Sequence, residues 1–181
     1  MKVTPTDIAD LLLFEPQVFG DDRGFFFESF NQHAFDRAVG KRVTFVQDNQ
    51  SRSVRGVLRG LHWQEAPHAQ GKLVWVAQGS VFDVAVDLRP GSTTRGRWVG
   101  MELTDRNHRQ LWIPPGFAHG FLVLSESADF LYKTTAYYRP DAERAVRWDD
   151  PTLAIRWPDV GVPLQLSAKD RAAPPYVVPS T

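Results

Sequence analysis

Short apolar runs, broken by glycine, proline and acidic turn residues, recur along most of the chain. They carry the two-residue period of strands rather than the 3.6-residue period of helices. Such runs span 11–14, 23–30, 43–49, 54–61, 73–78, 80–88, 97–103, 110–113, 120–125 and 129–135. That many strands with Gly and Pro punctuation predict an all-β sandwich or barrel. In 73–77 (Leu-Val-Trp-Val-Ala) and 81–87 (Val-Phe-Asp-Val-Ala-Val-Asp) both strand faces are largely apolar, which predicts layers covered on two sides. Asp83 lies inside such a run, and a carboxylate there is costly unless paired. One stretch departs from the pattern: over 32–39, His33, Ala34, Arg37 and Ala38 fall three or four residues apart and Gly40 can end the turn, predicting a short peripheral helix. No repeat or linker divides the chain, so 1–181 reads as a single domain, with the Pro-, Trp- and charge-rich stretch 141–181 as a C-terminal cover of little regular structure.

Composition narrows the classes. The 181 residues are 43% hydrophobic and 23% charged, which suits one domain with a substantial core. The 21 basic and 21 acidic residues cancel, so no overall field draws the chain to nucleic acid or to an anionic membrane, and any anion must be caught locally. There is no cysteine, which removes disulfides, thiolate nucleophiles and Cys-ligated metal. Residues 1–10 hold Lys2 but also Asp7 and Asp10, and 11–14 is too short for a signal-peptide core or a membrane span. Cytoplasmic residence is the resulting expectation.

Candidate chemistry concentrates in 60–72, where His62, Glu65, His68 and Lys72 sit between two β-like runs. A metal centre built from His62, Glu65, His68 and His119 suits a small β-barrel, but the spacing does not suit the metal. The residue two after His62 is Gln64, and His68 follows Pro67 in a loop. Proton transfer fits better: His62 as a base whose tautomer is set by Asp83 or Asp170, against the plainer reading of a core histidine satisfied by backbone. Lys72 leads into an apolar strand, where an inward ammonium would stabilise an oxyanion, unless it snorkels to the surface. The Pro114-Pro115-Gly116 turn should deliver His119 to the start of a strand, and Tyr132 lies in a neighbouring run. Arg23 and Arg59 could clasp phosphate oxygens, although an arginine taken alone is more often a surface ion-pair partner. Arg59 and His62 have opposite parity, so a bulge or kink at Gly60 is needed to bring them to one face. Tyr137 and Tyr138 could stack on a base, but only one can face a pocket from a regular strand. Lys169 and Asp170, taken alone, read as solvated charge.

These residues and their order resemble the dTDP-4-dehydrorhamnose 3,5-epimerase family of cupin-type β-barrel enzymes. The matching stretches include Phe19-Gly20-Asp21-Asp22-Arg23-Gly24, Gln47-Asp48-Asn49-Gln50-Ser51, Leu58-Arg59-Gly60-Leu61-His62 and Pro67-His68-Ala69-Gln70-Gly71-Lys72. They continue through Phe82-Asp83-Val84-Ala85-Val86-Asp87, Pro114-Pro115-Gly116-Phe117-Ala118-His119-Gly120-Phe121, Phe130-Leu131-Tyr132, Tyr137-Tyr138, Trp148-Asp149-Asp150-Pro151 and Leu166-Ser167-Ala168-Lys169-Asp170.

The resemblance implies a cupin-type jelly-roll β-barrel with a few short peripheral helices. It implies His62 as proton acceptor with Asp170 as its carboxylate partner, Tyr132 as proton donor and Lys72 beside the enolate oxygen. Arg23, Glu28, Gln47, Asp48, Asn49, Arg59, His119, Glu143 and Lys169 match substrate-binding positions, and Tyr138 matches the residue that stacks on thymine. The implied substrate is dTDP-4-keto-6-deoxyglucose, inverted at C3 and C5 on the way to dTDP-L-rhamnose, with no metal and no other cofactor. The implied assembly is a homodimer that exchanges N-terminal strands, so that Arg23 and Glu28 serve the neighbouring subunit. Trp63 stands where Tyr or Phe is usual and Ala136 where Asp commonly precedes the paired tyrosines; both bear on substrate range and leave acid and base intact. The rival readings are a mono-epimerase acting at C3 or C5 alone, a metal-dependent cupin enzyme, and a non-catalytic nucleotide-sugar binding module.

Overall fold

A computed structural model describes residues 1–178. Its strands are β1 (Lys2–Pro5), β2 (Leu12–Glu15), β3 (Val18–Asp21), β4 (Gly24–Phe27), β5 (Gln47–Val54), β6 (Leu58–Gln64), β7 (Lys72–Gln78), β8 (Ser80–Asp87), β9 (Trp98–Thr104), β10 (Gln110–Ile113), β11 (Phe117–Val123), β12 (Ser127–Thr134) and β13 (Glu143–Ala145). The helices are α1 (Gln32–Val39) and α2 (Ala168–Arg171). One sheet has the order β1-β2-β10-β7-β12-β5, the other β13-β6-β11-β8-β9, and β3 and β4 form a separate hairpin. From β5 onward the chain passes from one sheet to the other at every connection except that from β8 to β9, which pair within one sheet. The fold is an all-β, cupin-type jelly roll.

Alternation sorts the side chains. Val74 and Val76 of β7 and Val81 and Ala85 of β8 point between the sheets into the main core, with Leu111, Phe117, Phe121, Val123 and Phe130. Phe121 on one sheet stacks on Phe130 of the other at 4.1 Å between ring centroids and 16° between planes. The opposite faces are covered too. Phe14, Leu73 and Trp112 pack outward against Phe35 of α1, while Leu61, Val84, Val86 and Ala118 pack against Val146, Leu153, Trp157 and Tyr176 of the C-terminal stretch.

Asn31 caps α1, its side chain accepting from the Ala34 N–H at 3.0 Å, and Gly40 ends it at φ 76°. The helix has the expected bounds; Phe35, Ala38 and Val39 pack inward, while His33 and Arg37 are exposed. Apolar bulk, not the spacing of small and basic residues, decides which stripe is buried. The expected run 43–49 gives way to a strand over Gln47–Val54 and the run 54–61 to Leu58–Gln64, separated by a turn at Gly56 with φ 81°. β5 reads Gln-Asp-Asn-Gln-Ser-Arg-Ser-Val because its inner face lines a polar cavity and its outer face meets water, leaving little apolar signal. β11 starts at Phe117 rather than 120, which sets His119 inside the strand and buries it. β1, β3 and β13, of four, four and three residues, are too short and exposed to stand out in the sequence.

The C-terminal cover is pinned at two places. The Asp150 carboxylate accepts from the N–H groups of Thr152, Leu153 and Tyr176 at 2.9, 3.1 and 2.8 Å. Upstream, Leu58 N–H donates to Gln165 O and Gln165 N–H to Gly56 O at 3.0 and 2.8 Å. Between these anchors α2 is laid against β6.

Candidate active site

The walls of the site are the inner faces of the two sheets at one end of the barrel. On the β6 side, His62 stands opposite His119 of β11 and Arg59 opposite Phe121. Three steps on β6 against two on β11 define a bulge, and it brings Arg59 and His62 to the same inward face despite their opposite parity. Gly60 allows it: its φ is 125°, and a Cβ there would lie 2.5 Å from the Gly120 Cα. On the other wall, Tyr132 and Thr134 of β12 face inward, paired with Asn49 and Gln47 of β5, and Thr134 is also paired with Lys72 of β7. Together with Trp63, Gln64, Gln70, Tyr138 and Glu143 they line a cavity of about 330 Å³.

The two open candidates for the partner of His62 are resolved by distance. Asp170 Oδ1 lies 2.6 Å from His62 Nε2, whereas Asp83 Oδ2 lies 2.8 Å from His119 Nε2. Burial pushes the Asp170 carboxyl up, but hydrogen bonds from His62, from the Ser167 hydroxyl and from the Gly60 N–H outweigh it and hold the group below the usual carboxylate range. An ionised carboxylate only accepts, so the neutral ring carries its proton on Nε2 and keeps the lone pair on Nδ1. Asp83 is wholly buried, and its Oδ1 has no hydrogen-bond partner among the described residues.

Burial depresses Lys72 to about 8, against the opposing pull of Asp83 and Glu143. The Tyr132 phenol is pushed up by burial and by Glu143, with Arg59 acting the other way. Glu143 accepts from Tyr138 Oη at 2.7 Å and pairs with the Lys169 ammonium. Burial raises its carboxyl, and these two donors, aided by the charges of Lys169 and His62, hold it low. Of the adjacent tyrosines, Tyr138 faces the cavity, because buried Gln64 clamps the segment around it: Gln64 Nε2 donates to Tyr137 O at 3.2 Å and Gln64 Oε1 accepts from Arg139 N–H at 2.7 Å.

His62, Lys72, Gln47, Asn49, Tyr132, Tyr138 and Glu143 therefore converge on one cavity. Arg59 lies beside it with its Nε on Ser53 Oγ at 3.1 Å, and Lys169 and Asp170 reach it through Glu143 and His62. Asp48 points to the other face of β5 and pairs with Lys133 at 2.9 Å. Arg23 and Glu28 are exposed, Arg23 at the β3–β4 turn where Asp21 holds it, Glu28 accepting from Asn31 Nδ2 at 3.0 Å; neither lines this cavity. His68 gives its carbonyl to Gln64 Nε2 at 2.7 Å, and among the described residues no three His, Asp or Glu side chains are placed to hold a metal ion. Thr134 and Gln64 lie two residues from Tyr132 and His62, so strand periodicity alone could have marked them as lining the same site.

Comparison with known proteins identifies the family. The family model described as dTDP-4-dehydrorhamnose 3,5-epimerase matches residues 5–177. A dTDP-4-dehydrorhamnose 3,5-epimerase from Pseudomonas aeruginosa is 64% identical over 171 residues, 94% of this chain and 93% of the relative. The crystal structure of dTDP-6-deoxy-D-glucose-3,5-epimerase from Legionella pneumophila in complex with dTDP-4-keto-L-rhamnose superposes with a TM-score of 0.91 at 51% identity, covering 98% of this chain and 99% of that one. A 3′-monoepimerase from Streptomyces bikiniensis in complex with dTDP-quinovose gives a TM-score of 0.89 at 34% identity, over 94% and 86% of the two chains. A jelly roll whose two walls bring an Asp-paired histidine, a lysine and a tyrosine into one cavity thus belongs to the dTDP-4-dehydrorhamnose 3,5-epimerase family.

Proposed function

We propose that the protein inverts C3 and C5 of dTDP-4-keto-6-deoxy-D-glucose, giving dTDP-4-keto-L-rhamnose. The C4 ketone acidifies the hydrogens on both flanking carbons, and those hydrogens lie on one face of the ring. His62 Nδ1 takes the proton, its ring held by Asp170 through Nε2. The electrons move onto O4, where the Lys72 ammonium stabilises the enolate. Tyr132 then delivers a proton to the carbon from the opposite face; once His62 has released its proton to solvent and the Tyr132 phenolate has regained one, the same cycle at the second carbon completes the reaction. The observation that carries this reading is the placement of base and acid on opposing walls, His62 on β6 and Tyr132 on β12. A sugar ring lying between them meets the base on one face and the acid on the other. Arg59 holds diphosphate and Tyr138 stacks on thymine. Because the substrate already contains the activating carbonyl, this route calls for no metal or redox cofactor.

The proposed assembly is a homodimer built through the β3–β4 hairpin, working in the cytoplasm. In support, Phe19, Phe25 and Phe26 on that hairpin are 56%, 64% and 70% exposed, an apolar surface that a second subunit would cover and that would carry Arg23 and Glu28 to the neighbouring site. Among the described residues no helix is long and apolar enough to cross a membrane.

The test is incubation of the protein with dTDP-4-keto-6-deoxyglucose in deuterium oxide, without a reductase, followed by proton NMR at C3 and C5. Deuterium and inversion at both carbons are expected. Label and inversion at one carbon alone would make the protein a mono-epimerase, and binding without exchange would remove the catalytic roles.

A further inference from the structure

Asp170 is held in an altered capping box. In the usual form, Ser at the cap accepts from the N–H three residues on, and an acidic or amide side chain at that third residue reaches back to the cap's own N–H. Here Ser167 caps α2, and its Oγ accepts from the Asp170 N–H at 3.0 Å. The Asp170 carboxylate does not take the cap N–H. Its Oδ2 accepts from the Ser167 hydroxyl at 2.7 Å, which leaves Oδ1 turned to His62 Nε2 at 2.6 Å. α2 is a single turn and cannot hold a side chain rigid by its own helicity. The carboxylate is nevertheless 3% exposed and engaged on both oxygens.

We propose that Ser167 is a positioning residue of the reaction, its hydroxyl fixing the Asp170 carboxylate so that the His62 ring keeps its proton on Nε2 and its lone pair on Nδ1. This rests on the catalytic reading above. A hydroxyl carries one hydrogen, and Ser167 spends it on Oδ2, so the carboxylate cannot swing back to the cap. Without that bond Asp170 would be free to take the Ser167 N–H in the ordinary way and withdraw from the imidazole. The other charged or titratable groups around His62 are Arg59 on its own strand, Lys72 on β7, His119 on β11, Tyr132 on β12, Tyr138 in the loop after it, Glu143 on β13 and Lys169 on α2, and substitution at 167 removes none of them.

The experiment compares wild type, Ser167→Ala, Ser167→Thr and His62→Ala for kcat, KM and deuterium incorporation, with dTDP affinity and stoichiometry as the check on folding. Ser167→Ala should lower kcat about tenfold with KM within about twofold. It should also slow deuterium incorporation at C3 and C5 by a similar factor, because a ring without its facing carboxylate no longer presents Nδ1 steadily to the carbon. Ser167→Thr, which restores the hydroxyl at the cap, should recover both. A purely structural role would lower the fraction of protein that binds dTDP in step with kcat, and that result overturns the proposal, as does failure of threonine to rescue. Should the alanine variant lose nucleotide binding, Ser167→Gly takes its place, since glycine is accepted at a cap yet has no donor, and the same criteria apply. Exchange surviving in His62→Ala overturns the catalytic reading itself. Exchange lost there but unaltered by Ser167→Ala overturns only the role of Ser167.

Discussion

Lys72 is the residue whose chemistry owes most to its surroundings. Burial brings it down to about 8, so near neutral pH it is charged in most molecules and loses that charge as pH rises through 8. Only the charged form can stabilise an enolate, so kcat/KM should fall on the alkaline side of about pH 8. Asp83→Asn removes a negative charge that supports the ammonium and should move that limb to lower pH; a limb unmoved in the variant would assign it to another group. Lys72→Met should cost at least about a hundredfold in kcat, the scale of losing a charged donor at a developing oxyanion. Some of this was legible in the chain. Lys72 at the head of an apolar strand and His62 between β-like runs both stood out by residue type and position. Asp83 inside an apolar run needs a partner, but that His119 claims it from 36 residues away and leaves His62 to Asp170, 108 residues away, depends on contacts that no local pattern encodes.

The bulge in β6 is the element on which the site depends most. Gly60→Ala would set a Cβ against the backbone of β11 at a φ that L side chains rarely adopt, and neither strand can retreat without breaking the ladder. We expect the substitution to cost about 3 kcal/mol of stability, read by urea denaturation, and to cut activity further than that loss explains, because a regular strand would turn Arg59 or His62 out of the cavity. The parity conflict between those two residues announced the need for a bulge before any fold was known. Strands covered on both faces, such as β7 and β8, were legible for the same reason that polar β5 was displaced: periodicity reports burial, and a wall of an active site is not buried by apolar neighbours. The one-turn α2 left no periodic trace, which is why Lys169 and Asp170, taken alone, read as solvated charge.

For the whole molecule, the exposed phenylalanines of the β3–β4 hairpin bear on assembly. Phe26→Asp should shift the sedimentation coefficient from dimer to monomer, and mixing Arg23→Ala with His62→Ala subunits should restore one good site per mixed dimer if the hairpin serves the neighbouring subunit. No recovery would confine Arg23 to its own subunit. Assembly was the scale least readable from the chain, since a short hairpin paired to nothing else offers no core pattern. The Phe121–Phe130 stack acts at this same scale but from within. It props apart the two sheets that bear His62 and Tyr132, and face-packed sheets sit about 10 Å apart. The pair works as the spacer of a vice whose jaws are the residues proposed as base and acid. Thinning it by Phe130→Leu should let the jaws settle closer and slow turnover with nucleotide affinity unchanged, so that the gauge of the catalytic gap is kept by two rings that take no part in the chemistry.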